Sequence, residues 1–190
     1  MKRRLFWFAV GLIALFGVAA FLTRGMGFTS RANPSALEAR VALAARSWAM
    51  PASARDRVNP VATLPEALKD GMEHWADHCA TCHANDGSGS GTMGKSLYPP
   101  APDMRERRTQ SLTDGELFYI IERGVPFTGM PAWGNGTPEG EQDSWKLVRF
   151  VRHLTRISAA ELEEMEAMNP KSPRQMEMEK HIHDFLKGKK

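Results

Sequence analysis

The most chemically specific residues of this chain are Cys79, Cys82 and His83, which stand in the order C-x-x-C-H within Cys79-Ala80-Thr81-Cys82-His83. Two thiols separated by two residues can add across the two vinyl groups of a haem while the adjacent imidazole reaches the iron. Other uses of C-x-x-C lack their context. A thioredoxin-like redox pair belongs in a βαβ unit, and no run here alternates with the period of a strand. Half a zinc ribbon needs a second pair, and the chain has 2 cysteines in all. One covalently bound haem c is therefore the expected cofactor.

An iron held by one histidine takes a sixth ligand or keeps an open site. A soft thioether sulfur stabilises the ferrous state and raises the potential, which suits electron transfer. Met130 stands in Gly129-Met130-Pro131, where the flanking residues hold an irregular loop able to present sulfur. Met93, in a glycine-rich loop, and Met104, after a proline cluster, are the alternatives, with packing as the ordinary role of methionine. His74 and His78 precede the attachment site on the same helix and read, with His153, as helix-face residues. His181 and His183 are two apart, on nearly opposite helix faces, and do not suit a shared metal.

Residues 89–96 satisfy G-x-x-x-x-G-K-[ST], the phosphate-cradling pattern. A phosphate loop follows a strand and opens a helix. This one follows a helix carrying the cysteines and runs into Pro99-Pro100, so no nucleotide is expected and the segment reads as a loop over the cofactor.

The positioning elements are helices. Thr63-Leu64-Pro65-Glu66 reads as a capping box, followed by Leu68, Met72, Trp75 and Cys79 on one face. Thr113-Asp114-Gly115-Glu116 caps a second helix with Leu117, Ile120 and Ile121 on one stripe and Gly124 as its stop. Pro138 opens a third, where Leu147, Phe150, Val151 and Leu154 share a face. Beyond residue 157, Ser158 caps an acidic helix ending at Asn169-Pro170, and Ser172-Pro173-Arg174-Gln175 starts another carrying Met178, Ile182, Phe185 and Leu186 before Gly188. This tail either packs on the core or docks a partner.

The N-terminal part sets the compartment. Lys2, Arg3 and Arg4 precede an uncharged run over residues 5–22, about 27 Å as a helix and close to the roughly 30 Å of bilayer hydrocarbon. We read it as a retained anchor. A cleaved signal, with Val18-Ala19-Ala20 as the small-residue site, is the alternative, but signal cores are usually shorter. In both readings the basic head stays in the cytoplasm and the remainder is exported. Net charge is +3 over 1–23, +4 over 24–60, −3 over 61–157 and −1 beyond, so the basic pI reports the N-terminal third and no nucleic-acid partner is expected. Within 24–60, Asn33 with Pro34 starts a helix whose Leu37, Val41, Ala44 and Trp48 form an apolar stripe up to Pro51. That stripe packs on the main domain or lies on anionic headgroups. Residues 51–60 read as linker.

Over residues 61–157 the chain resembles a class I c-type cytochrome, the all-helical monohaem family, in a membrane-anchored bacterial form. The resemblance rests on Cys79-Ala80-Thr81-Cys82-His83, the glycine loop at 87–91, Tyr98-Pro99-Pro100-Ala101-Pro102, Ile120-Ile121-Glu122-Arg123-Gly124, Gly129-Met130-Pro131-Ala132-Trp133 and the helix around Trp145 to Val151. It implies thioether attachment at Cys79 and Cys82, His83 and Met130 as axial iron ligands, and a carbonyl in the Pro99-Pro100 stretch accepting from the other ring N–H of His83. It also implies Tyr98 and Trp133 beside the haem, and a close crossing of first and last helices that Gly71 against Phe150 could provide. The expectation is thus an all-α cytochrome c fold preceded by one transmembrane helix, with segments 1–23, 24–60, 61–157 and 158–190 as anchor, connector, haem domain and extension. The expected function is a single-electron carrier, not itself an enzyme. It would be tethered to the bacterial inner membrane with the haem domain in the periplasm, passing electrons between respiratory redox complexes. A haem subunit fixed in a dehydrogenase or terminal oxidase complex is the alternative, and a gas- or peroxide-reactive haem a third.

Overall fold

The computed structural model describes residues 2–26 and 29–187, and none of them lies in a strand. Met1, at the head of the expected anchor, and Gly188, the expected stop of the last helix, lie outside the described residues. The chain divides into two compact units, Met1–Ala32 and Asn33–Lys190. The first unit contains α1 (Lys2–Met26), with only Arg24 charged after Arg4. Its segment Lys2–Phe21 has a mean hydropathy of 2.0 and is the one helix among the described residues long and apolar enough to cross a membrane.

In the second unit, α2 (Ala36–Ala49) begins later than Asn33 and Pro34 suggest. Ser35 is the N-cap, its hydroxyl accepting from the Glu38 amide at 3.2 Å, so the proline stands outside the helix. The short α3 (Ala52–Arg55) follows directly. The cap of α4 (Pro65–His74) also differs from expectation. Pro65, with its φ preset for the first helical position, puts Leu64 at the N-cap, where no side chain can accept, and Thr63 falls one residue too early. The helix then widens into a single π-turn, Trp75–Cys79, before α5 (Ala80–His83), so the uninterrupted α-periodicity read across 68–79 does not hold.

The remaining helices start where their caps require. After α6 (Arg107–Gln110), α7 (Asp114–Arg123) carries the full Thr113/Glu116 box and stops at Gly124, whose φ of 67° a side chain would resist. Thr137 and Pro138 open α8 (Pro138–His153). Ser158 boxes α9 (Ala159–Met168), and Ser172 boxes α10 (Pro173–Leu186).

Helix α8 is the organiser. Its Trp145, Leu147, Val148, Phe150 and Val151 are buried with Leu154 just beyond, and they meet Met72, Trp75 and Ala76 of the cysteine-bearing helix together with Leu117 and Phe118 of α7. The α4–α8 crossing is close because Gly71 lies on α8: a Cβ there would stand 2.5 Å from the Lys146 carbonyl oxygen and 3.1 Å from Phe150 Cβ. Gly71→Val should therefore lower stability by about 1–3 kcal/mol through overpacking, or more if the helices separate, read as a drop in thermal midpoint. Gly17→Val on the open surface of α1, where nothing lies within 4 Å, is the matched control.

Residues 51–60 are a docked strap and not the linker that their composition suggests. Met50, Ala54 and Asn59 are buried, and Asn59 Nδ2 donates to the Trp145 carbonyl at 3.0 Å. Arg149 donates to the Val61 carbonyl from Nε at 2.9 Å, and Arg57 covers the stacked Phe118–Trp145 pair, its guanidinium 4.2 Å from the Phe118 centroid. The C-terminal extension splits in behaviour. Met165 of α9 is fully buried in the core, whereas α10 buries no residue.

Candidate functional site

The site is built where α4, the π-turn and α5 end. An ordinary α-helix would continue 3.6 residues per turn through Cys79. The π-turn inserts a residue, and Trp75 sits in the core while its Nε1 donates 3.0 Å to the Ala84 carbonyl just past His83. Ala84 leaves the helix at φ 61° and ψ 162°, a region that costs a side-chain-bearing residue on the order of 1–3 kcal/mol and persists only where neighbours enforce it. The Trp75 bond to the Ala84 carbonyl and the 2.8 Å bond from the Ala84 amide to the Ala80 carbonyl are those neighbours. The chain is thereby turned sharply after the imidazole.

His83 is 9% exposed, and its Nδ1 is sealed from solvent with no hydrogen-bond partner. Burial pushes the imidazole below its ordinary range, with the Pro102 carbonyl acting in the opposite direction. The expected hydrogen bond from this ring to a carbonyl of Pro99-Pro100 is not made; Pro102 is the backbone carbonyl that bears on the ring. Cys79 and Cys82 are free and half-buried. Burial, with a smaller contribution from Cys82, pushes the Cys79 thiol up to about 12, and burial also raises Cys82. Both are held as neutral thiols.

The loop after His83 wraps this turn through glycines. A Cβ at Gly91 would meet the Thr81 carbonyl oxygen at 2.5 Å, and one at Gly94 would collide with the Cys82 backbone. Gly89 donates 2.9 Å to the His83 carbonyl and Met93 donates 3.1 Å to that of Thr81. The G-x-x-x-x-G-K-S stretch follows a helix and ends in a single 3₁₀ turn, Gly94–Ser96, its glycines occupied by the cysteine turn. Arg105 ties the two ends of this loop together, pairing with Asp103 at 2.7 Å and Asp86 at 3.1 Å, and its guanidinium holds the Asp103 carboxyl below the usual range.

Met130 lies half-buried in a second loop that returns toward the same turn. Its carbonyl accepts from Val125 at 3.1 Å, its amide donates to Thr128 Oγ1 at 3.1 Å, and that hydroxyl donates to the Val125 carbonyl at 2.8 Å. Gly129 presses on Leu97 of the first loop, where a Cβ would stand 2.6 Å from Leu97 Cδ1. Trp133 meets the His78 ring edge-to-face at 5.3 Å, one residue before Cys79. The loop is therefore pinned on both sides of the cysteine turn. Met93 is 55% exposed, while Met104 packs against the main core. His74 and His78 are ring neighbours at 5.0 Å on the helix face.

Sequence spacing offers no signal for the Trp133–His78 contact, the Leu97–Gly129 contact or the hydrogen bond from the Tyr98 hydroxyl to Glu38 Oε1 at 2.6 Å. Each joins segments far apart along the chain.

Two features show that these residues fit a haem. In the loop 84–106 the only buried positions are Gly87, Gly89, Gly91 and Gly94, and between 125 and 137 no residue is buried at all. Two long loops, the first leaving His83 and the second touching Leu97 and His78, lack interior side chains of their own, which is what a flat apolar group placed between them would complete. The donor set is right as well: a buried imidazole whose Nδ1 makes no protein hydrogen bond, two unpaired thiols and a thioether. Residues 66–151, from α4 to near the end of α8, match the family model described as "Cytochrome C oxidase, cbb3-type, subunit III".

Proposed function

With residues 66–151 forming a c-type cytochrome domain, we propose that this protein is a membrane-tethered electron carrier holding one haem c through Cys79 and Cys82, with His83 and Met130 as its axial ligands. The observation that carries the reading is His83: buried, with no hydrogen-bond partner at Nδ1, and preceded by the two thiols at the start of a loop without a core of its own. The bound group would supply one-electron chemistry between ferric and ferrous iron.

The chain's own residues do the rest. Burial favours the neutral His83 imidazole, the form whose nitrogen offers a lone pair, with the Pro102 carbonyl acting against that shift. The Val125–Thr128–Met130 hydrogen bonds hold the second loop so that the methionine sulfur is presented by a preset turn. A preset turn loses little entropy on ligation and moves little between oxidation states. The glycine loop covers the cysteine turn and limits water access. We infer that 61–157 is the haem domain, that 24–60 connects it to an N-terminal anchor over 1–23, that 158–190 extends it, and that the haem domain is periplasmic.

A second reading, a haem subunit fixed in a larger oxidoreductase, is favoured by the oxidase-subunit family matched and by α10, whose Met178, Ile182 and Phe185 are all more than half exposed. One experiment addresses both readings. After high-salt and alkaline washing the protein should remain with membranes, and protease added to spheroplasts should digest its haem domain. In mild detergent a carrier comes away alone and reduces or oxidises at a partner only on collision, whereas a fixed subunit comes away with its complex. A soluble product with a new N-terminus at Phe21 would show that the first segment is a cleaved signal.

A further inference from the structure

We propose that α2 lies in the membrane interface on anionic phospholipid, inserting the face formed by Leu37, Val41, Ala44 and Trp48. The proposal rests on the anchored reading above and adds a second, peripheral contact with the bilayer.

The argument starts from helical register. At about 100° per residue, the four stripe residues fall within an arc of roughly 60°. The only positions of α2 that are even half-buried, Ala39 and Arg46, lie on the opposite side of the helix. The stripe itself is open: Leu37 is 74% exposed, Val41 59% and Trp48 89%. An isolated exposed leucine needs no explanation, but a stripe ending in a nearly bare tryptophan does.

The haem unit is not the missing cover, because it already holds α2 from the other side. Arg46 is half-buried on that side, in the field of Glu116 and Arg108, and burial lowers its pKa from the usual arginine value. Glu38, off the stripe, accepts from the Tyr98 hydroxyl. Arg55 donates to the Ser47 carbonyl, and Met50 at the helix end is buried. Turning the stripe inward would break all four. These contacts explain why the expected packing of the stripe on the main domain does not occur.

Charge identifies the occupant. Arg40 lies about 60° from Leu37, beside the stripe, with Arg31 and Arg24 upstream, and residues 24–60 carry +4 overall. The one carboxylate of α2, Glu38, lies about 60° from Val41 on the other flank and is engaged by the Tyr98 hydroxyl. Cations of this kind are unexpected on the exported flank of an anchor by the positive-inside rule, and an interfacial helix gives them a role. Tryptophan is the side chain most at home at headgroup level. The chain supplies proximity as well. Nine residues, 27–35, separate the end of α1 from the start of α2, a reach of at most about 32 Å. With α1 spanning the bilayer, α2 is held near it at an effective concentration on the order of millimolar, so a short helix of modest intrinsic affinity suffices.

The test uses the full-length holoprotein in nanodiscs. With Cys79 and Cys82 consumed by the haem, Ala44→Cys is the one free thiol and takes a spin label, and Ala42→Cys labels the exposed far side as reference. In discs of phosphatidylglycerol the label at 44 should relax several-fold more with oxygen than with a water-soluble nickel chelate, and the label at 42 should show the reverse. Arg40→Gln, or discs of phosphatidylcholine alone, should reduce the oxygen preference at 44. An unchanged preference in both would overturn the anionic headgroup as partner. Equal nickel access at 44 and 42, in a chain that stays in the disc through alkaline washing, overturns the interfacial placement. A chain lost from the disc on that washing overturns the anchored reading instead. A label at 44 shielded from both reagents means that protein covers the face, and also overturns the proposal.

Discussion

The double substitution Cys79→Ser/Cys82→Ser should leave almost no stable haem-bearing protein, whereas in the parent chain the haem should stay on the polypeptide through denaturation and acid-acetone extraction. Both outcomes follow from there being 2 thiols, placed two residues apart beside His83. The loss extends beyond the cofactor because of where the chain lacks a core. The α4–α7–α8 contacts bury large side chains, but residues 84–106 bury only glycines and 125–137 bury nothing. In a domain of this size a bound porphyrin would be a large part of the interior, and a ligand that binds only the folded state stabilises it by mass action. We expect the variant to accumulate little, to lose protease resistance first in these two loops, and to show no absorbance in the polypeptide band when gels are stained for haem peroxidase activity. Haem extracted from the parent protein by acid-acetone would overturn the assignment of the site.

Met130→Ala should abolish the weak sulfur-to-iron charge-transfer band of the oxidised protein, open the reduced protein to carbon monoxide, and lower the potential. Axial ligation spans about 0.8 V across haem proteins, so loss of a thioether should lower the potential by on the order of 0.1 V or more. Met93→Ala and Met104→Ala should leave band, ligand binding and potential nearly unchanged. The difference lies in how each is held. Met93 is 55% exposed on the glycine loop, and Met104 is committed to the main core, with its amide donating 2.7 Å to the Gly87 carbonyl. Met130 sits in a turn fixed by three hydrogen bonds, with Gly129 against Leu97 and Trp133 against His78. If the parent reduced protein already binds carbon monoxide readily, the sixth position is open, and a ligand-reactive haem replaces the carrier. If Met93→Ala or Met104→Ala removes the band, the ligand has been misassigned while the attachment site stands.

Short-range chemistry was legible in the residues themselves. The Thr113 and Ser158 boxes, the Pro138 start and the Gly124 stop each depend on groups within a few positions, so spacing alone predicts them and the structure agrees. The Gly71–Phe150 approach, expected from the family resemblance, is likewise present. Where a neighbour intervened, local reading slipped by a residue or two. Pro65 displaced the cap from Thr63, Ser35 took it from Asn33, and the π-turn broke the period before Cys79, because each cap or turn is a competition that sequence lists without ranking.

What only tertiary structure decided is which distant surfaces meet. The polar, proline-bounded composition of 51–60 permits a linker, yet Asn59, Arg57 and Arg149 make it a strap across α7 and α8. Periodicity identifies the apolar face of α2 but not what it faces, and the direction was set by Arg46 toward Glu116 and by Tyr98 on Glu38. The same holds for the carbonyl that bears on His83: Pro99, Pro100 and Pro102 are alike in a sequence, and only the folded chain brings Pro102 into play. A helix cap is satisfied by atoms within one turn, whereas these contacts depend on the summed packing of α4, α7 and α8, which no local pattern encodes.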